Sequence, residues 1–275
     1  MSPLGSARFG FASGGAISYD LEALIVSGGG RGYVGGGGAG GAVTQSTTLE
    51  TGNTITVTVG AAGSSSSLSG DWTYSVIAGG IGGARNFGSN SGACGGGAGR
   101  NSQNSGSPGN IGFRGGDGSG SYQGGAGGGG MTQAGEDVNT ACDANGDSGN
   151  KGGDGTSAYS AWGNAVSLGE NIGGTRWFAG GGGSGDRGPT CNPGGKGGGG
   201  DGAISGNALN SGLANSGGGG GGAYSYSGTL GGSGCIILRF NSALPDFTST
   251  TGSPTIATSG GYRYYAWTGT GSVTL

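Results

Sequence analysis

Residues capable of chemistry are few in this chain and unevenly placed. There is no histidine, which removes Ser-His-Asp triads, Cys-His dyads and histidine-based metal hydrolysis together. Fourteen acidic side chains remain. Paired carboxylates alone can cleave glycosidic bonds, but these are scattered, and the chain has little apolar surrounding with which to raise a carboxyl pKa. One stretch, Asp143-Ala144-Asn145-Gly146-Asp147, sets oxygen ligands at alternate positions like the start of a calcium loop. Ser148 stands where an EF-hand loop has glycine, and Asp154 where it has glutamate. Asp143, Asn145 and Asp147 therefore fit a polar Asx-type turn better than a metal site. Gly195-Lys196 is followed by Gly197 rather than Ser or Thr, so there is no phosphate-binding P-loop. Catalysis and cofactors are not expected.

The stronger signal is aromatic. Tyr122, Tyr159, Trp162, Trp177, Tyr224 and Tyr226 lie in polar segments that also carry Asn, Asp and Arg. A carbohydrate offers apolar C–H faces for a ring to stack on and hydroxyls for neighbouring amides and charges. Surfaces rich in Tyr, Ser and Gly are also the adaptable surfaces of paratopes. Tyr122, Tyr159, Trp162, Tyr224 and Tyr226 are accordingly the candidate receptor-binding residues, on loops. Trp177-Phe178 reads as local cover for a bundle end, and Tyr262, Tyr264, Tyr265 and Trp267 as packing within terminal strands.

Four cysteines, Cys94, Cys142, Cys191 and Cys235, permit three complete pairings. Cys235 precedes Ile236-Ile237-Leu238 and reads as a small buried hydrophobe. Cys142 and Cys191 sit in polar segments and are the favoured pair if one forms. No C-x-x-C spacing points to zinc.

What must position these residues is unusual. Of 275 residues, 81 are glycine, about four times the ordinary share, while Leu, Ile, Val and Phe make up about 14%, below the ~20% of a conventional core. The ordered state must be held largely by backbone. With only 6 prolines and glycines in irregular runs, collagen is excluded. A net charge of −3 gives too little self-repulsion for the usual disordered composition. The glycine runs instead suit polyglycine II: threefold extended helices, close-packed because no Cβ intervenes, each N–H bonding a neighbouring carbonyl. No basic cluster suggests nucleic acid, and no apolar run approaches the ~20 residues of a membrane span. The first residues carry neither a basic n-region nor an apolar h-region, so no secretory signal is expected.

Period-2 patterning predicts strands over residues 19–27, over 47–60, where Ile55, Val57 and Val59 alternate with threonines, and over 72–78. A buried-type strand is predicted at 234–240, and a closing pair at 262–267 and 272–275. The predicted fold is all-β with a polyglycine II helix bundle, β elements at both sequence ends and negligible α-helix. Its parts are an attachment segment at 1–18, a β-rich part at 19–78, the bundle with variable loops at 79–233, and C-terminal strands at 234–275.

The ordered set Leu24-Ile25-Val26-Ser27-Gly28-Gly29-Gly30, Thr54-Ile55-Thr56-Val57-Thr58-Val59-Gly60, Gly234-Cys235-Ile236-Ile237-Leu238-Arg239-Phe240 and Gly261-Tyr262-Arg263-Tyr264-Tyr265-Ala266-Trp267 resembles the glycine-rich domain of tailed-phage virion proteins, many of them tail fibres. The interior is similar in architecture to the tail-fibre tip adhesins of T-even-type phages. This resemblance implies a virion protein at an exterior surface, made in the host cytoplasm. Its partners would be a host cell-surface receptor, glycan or protein, and other tail proteins. By analogy with fibres it would be a homotrimer. A purely structural virion component is the alternative, and an ice-binding protein with a flat face of small residues a remote one.

Overall fold

The computed structural model describes residues 15–100, 105–118, 124–138, 150–185, 192–203, 210–224 and 228–275. Two five-stranded sheets and a glycine bundle form the body of these residues. The first sheet has the order β10-β11-β8-β1-β2, from β1 (Ser18–Val26), β2 (Ala42–Glu50), β8 (Cys235–Asn241), β10 (Thr255–Ser259) and β11 (Tyr262–Trp267). The second runs β5-β4-β3-β12-β9, from β3 (Thr54–Thr58), β4 (Ser66–Gly70), β5 (Tyr74–Val76), β9 (Ser249–Thr251) and β12 (Gly271–Thr274). A small hairpin, β6 (Glu170–Ile172) and β7 (Thr175–Trp177), stands apart.

The alternation in the sequence selects the faces. Leu21, Ala23 and Ile25 of β1 meet Ile236, Leu238 and Phe240 of β8, Ile55 and Val57 of β3, and Tyr265, Trp267 and Val273 in one core between the sheets. Leu24 and Val26, on the opposite face of β1, join Cys235, Ile237, Tyr264 and Ala266 in a second core against the bundle. β1 and β8 are buried on both faces, which is why they read as nearly continuous apolar runs.

Two expectations about these strands are corrected. The stretch 47–60 is not one strand; Thr51, Gly52 and Asn53 turn the chain between β2 and β3, which belong to different sheets. The C-terminal strands exist but are not a pair: β11 pairs with β8 and β10, and β12 with β3 and β9. β4, whose Ser-rich sequence gives only one large apolar residue, Leu68, was not foreseen.

The glycine runs form a bundle with the threefold hydrogen-bond pattern of polyglycine II. Its clearest rod is residues 35–40. Gly35 and Gly38 donate to Gly83 and Gly80, Gly36 and Ala39 to Ala126 and Gly129, and Gly37 and Gly40 to Gly220 and Gly217, all at 2.8–2.9 Å. Each third residue thus points its N–H at the same neighbour, as three residues per turn require. Cys94 and Gly97 donate back to Ala39 and Gly36, Gly182 to Gly37, and Gly30 to Gly38. The rod is enclosed on all sides by backbone. The run at 28–41, placed in sequence within the β-rich part, is therefore central to the bundle. Close approach makes glycine obligatory here: a Cβ on Gly36 would fall on the Gly182 carbonyl, inside the 3.0 Å that real Cβ atoms essentially never breach.

β1 runs directly into the bundle at Ser27, and the chain returns into β2 at Ala42. Two buried serines close the seam. Ser27 Oγ donates to the Ile77 carbonyl at 2.5 Å and accepts from Gly41 N–H at 3.1 Å, while Ser66 Oγ donates to the Val26 carbonyl at 2.8 Å. Cys94 and Cys235 also lie at this seam, free and buried, and burial pushes both thiols up to about 12. Cys235 is thus the small buried hydrophobe expected; Cys142 and Cys191 lie outside the described residues.

Candidate functional site

The outer face of the first sheet carries a polar row beside the buried Leu24 and Ile237. Cross-strand register aligns Ser46, Glu22, Arg239, Tyr264 and Ala257 on β2, β1, β8, β11 and β10. Arg239 donates to Glu22 Oε2 from Nε at 2.7 Å and from Nη2 at 2.5 Å. Burial works against its charge, but hydrogen bonds with Tyr264 and Glu22 and the Glu22 charge outweigh it, so the pKa is raised and the guanidinium stays charged.

A lid over this row is built by the polar segment between two glycine runs. Thr156 and Phe178 exchange backbone hydrogen bonds at 2.8 and 2.9 Å and pinch the segment off from the bundle. Between them come α1 (Ser160–Val166) and the β6–β7 hairpin, whose turn uses Gly173 and Gly174 at φ 58° and 88°. Ser160 Oγ accepts from Arg176 N–H at 2.9 Å and fixes helix to hairpin. The Glu170 carboxylate accepts from Gly197 and Gly198 N–H at 2.6 and 2.9 Å and fixes the hairpin to the bundle. Sequence alone treats this segment as a loop. Its helix is a single seven-residue stretch with no charged residue, too short for apolar periodicity to show.

The helix places Trp162 on the polar row. The Arg239 guanidinium lies between two rings, 4.1 Å from the Trp162 centroid and 4.2 Å from that of Tyr262. Trp162 also meets Tyr264 edge-on at 6.1 Å. At 5% exposure, Trp162 is a packed helix residue rather than the loop residue expected; its affinity for the charged row holds the lid down.

Tyr159, half-buried at the helix N-terminus, stands beside Trp162 at the mouth of a cleft of about 420 Å³. The cleft is lined by Glu22, Thr44, Ser46, Tyr159, Trp162 and Arg239, with Gln45 and Ala158 at its edge. Thr44 and Ser46 are exposed hydroxyls. Both Arg239 bonds use Glu22 Oε2, and Oε1 has no hydrogen-bond partner among the described residues. The site offers a carboxylate acceptor, two hydroxyls and an aromatic edge, a set suited to holding a polyhydroxylated ligand. It presents one carboxylate, compensated by an arginine, and no nucleophile–base pair.

Of the sequence-predicted residues, the structure brings Tyr159 and Trp162 together here. Tyr224 lies elsewhere, half-buried with the Arg100 guanidinium 4.5 Å above its ring. Tyr122 and Tyr226 lie outside the described residues, as do Asp143, Asn145 and Asp147. Among the described residues no group of three metal-ligating side chains occurs, and no helix is long and apolar enough to cross a membrane. Glu22 and Arg239 were missed, although each stands as a charge against an apolar run, ALIV after Glu22 and CIIL before Arg239.

Residues 13–241 match the family described as a glycine-rich domain. No curated protein and no solved structure matches the chain.

Proposed function

The chain belongs to the glycine-rich domain family, and from that premise we propose that it is a non-catalytic, bacteriophage tail-fibre-type adhesin that binds a host cell-surface glycan. The observation that supports this reading is the cleft under the α1 lid. Two aromatic residues picked out from the sequence, Tyr159 and Trp162, meet there beside a free carboxylate oxygen of Glu22 and the hydroxyls of Thr44 and Ser46. Ligand pockets combine such an apolar surface with a few fixed polar groups. The glycine bundle supplies the rigidity: a lid anchored through Glu170 and the Thr156–Phe178 bridge needs little reordering on binding. In the virion, the same chain would attach to other tail proteins.

The test is binding of fluorescently labelled protein to intact bacterial and cyanobacterial cells, with excess unlabelled protein as competitor. Saturable, strain-selective labelling that falls at least about tenfold in Tyr159→Ala is expected, a loss of ~1.4 kcal/mol. Absence of selective labelling on every strain, the phage's own host included, overturns the reading in favour of a structural virion component.

One observation favours ice binding as a second reading. The outward positions of β3, β12 and β9 are all Ser or Thr, in rows such as Thr56–Ser272–Thr251 and Thr54–Thr274–Ser249. Sheet twist of roughly 20° per strand curves such a face away from a crystal plane. Thermal hysteresis in the purified protein would support ice binding against that argument.

A further inference from the structure

A second groove, of about 550 Å³, opens where the sandwich meets the bundle, and its lining differs from that of the first cleft. Its apolar surface is Ile77, Ile81 and Leu230, which are 40%, 38% and 51% exposed. Arg31 and Tyr33 stand together in its lining, the guanidinium 5.9 Å from the ring centroid. Exposed Asn90 and Asn110 add side-chain amides that make no hydrogen bond to the described protein. Among the described residues no Asp or Glu lines the groove, and Arg31 is the one charged side chain in its lining. Among the described residues Arg31 has no carboxylate partner.

The backbone adds to this polarity. In the rod that begins at Ala78, Gly79 and Gly82 donate to Gly28 and Arg31, and Gly80 and Gly83 to Cys94 and Gly97. Two of the three directions of the threefold rod are thereby filled. The third belongs to Ala78 and Ile81, which both line the groove, and their N–H groups have no partner among the described residues. Their carbonyls are occupied, by Ala93 N–H and Asn90 N–H. The groove wall therefore offers the Ala78 and Ile81 N–H donors beside the Arg31 guanidinium, together with carbonyl acceptors such as that of Gly79, which has no partner among the described residues.

We propose that this groove binds an acidic oligosaccharide, with a uronic-acid carboxylate on the Arg31 guanidinium, sugar hydroxyls on Asn90 and Asn110, and a C–H face on Ile77 and Ile81. The chemistry excludes a neutral or cationic ligand as the preferred one. An exposed guanidinium with no carboxylate beside it among the described residues gains most from an anion, through a charge-assisted and bidentate contact. The volume suits a few sugar rings, since pockets for small molecules span roughly 300–1,000 Å³. The groove shares no residue with the Tyr159 cleft, so the two readings stand or fall separately.

The experiment is calorimetric titration of the purified protein with short galacturonate, glucuronate and mannuronate oligomers, and with the methyl ester of whichever binds. Binding of at least one acid is expected, weakened about tenfold or more in the neutral ester and in Arg31→Ala, as loss of a charge-assisted hydrogen bond implies. Arg31→Lys should recover part of the affinity, and Asn110→Ala should lose part of it. Tyr159→Ala should bind the acid normally. Arg31 is exposed and its bundle contact is through its carbonyl, so the variant keeps the fold, which an unchanged melting curve checks. Failure of all three acids to bind, equal binding of acid and ester, or undiminished binding in Arg31→Ala each overturns the proposal. None of these outcomes bears on cell labelling through the first cleft.

Discussion

The sandwich and the glycine bundle each exclude water, but they do so with opposite materials. Between the sheets, Tyr19, Phe240, Phe247 and Tyr265 pack ring against ring with centroids 4.5–6.0 Å apart. The interior gains from the apolar area it removes from water. Around the rod at 35–40 there is almost no side chain to bury. Backbone donors and acceptors meet in three directions, and carbonyl oxygens occupy the space where Cβ atoms would stand. In the first region, stability is lost by removing atoms. In the second, it is lost by adding them.

The largest effect should come from adding one methyl group to the bundle. Gly36→Ala places a Cβ against the Gly182 carbonyl and the Gly128 N–H. Both belong to backbone enclosed by further backbone, so neither can yield as a side chain would. Overpacking in ordinary cores costs about 1–3 kcal/mol because side chains adjust. Here the expected outcome is a chain that does not form the bundle, read as loss of the cooperative thermal transition. A normal melting curve for Gly36→Ala would break the comparison at its root. Removing atoms from the sandwich should do less: Phe240→Ala is expected to fold with a loss of about 3–5 kcal/mol by urea denaturation.

A third effect belongs to the seam where the two materials meet. Cys94 and Cys235 are both neutral thiols there, raised from 9.0 to about 12 by burial. Below pH 9 both folded and unfolded chains hold these protons, and the contribution is constant. Between pH 9 and 12 the unfolded chain loses them and the folded chain keeps them, so stability falls as pH rises, by up to about 1.4 kcal/mol per pH unit for each thiol. Urea titrations at pH 8 and 10 measure this, and Cys94→Ala with Cys235→Ala should flatten most of the difference. An unchanged slope in the double variant would mean that the seam opens without exposing them.

The two regions also differed in how legibly the sequence announced them. The strands of the sandwich were readable where apolar residues alternate with threonine, as in Thr54-Ile55-Thr56-Val57-Thr58, and unreadable in β4, where only Leu68 marks the inner face. The bundle was readable as a class from the glycine runs. Its register was not, because the partner of Gly37 is Gly220 and no side chain distinguishes one glycine from another. Pairing of β11 with β8 rather than β12 is similarly non-local, fixed by which apolar faces meet across the sandwich. In the candidate cleft, Tyr159 and Trp162 were visible as aromatic residues in a polar segment. Glu22 and Arg239 were not, since their meeting depends on a register that joins residues 217 apart in sequence.

The smallest effect is the one that tests whether position, rather than glycine as such, governs the bundle. Gly269 follows β11 at the surface, with a backbone φ outside the left-handed region and nothing within 4 Å of a Cβ built on it. Gly269→Ala makes the same chemical change as Gly36→Ala, reduces the conformational freedom of the unfolded chain equally, and meets no atom. Such a substitution typically stabilises by about 0.4–1 kcal/mol where the native conformation is compatible. The expected result is a melting temperature unchanged or slightly raised. A loss at Gly269 comparable to that at Gly36 would assign the sensitivity to glycine's backbone freedom rather than to crowding, and the distinction between a core of side chains and a core of carbonyls would have to be redrawn on conformational grounds.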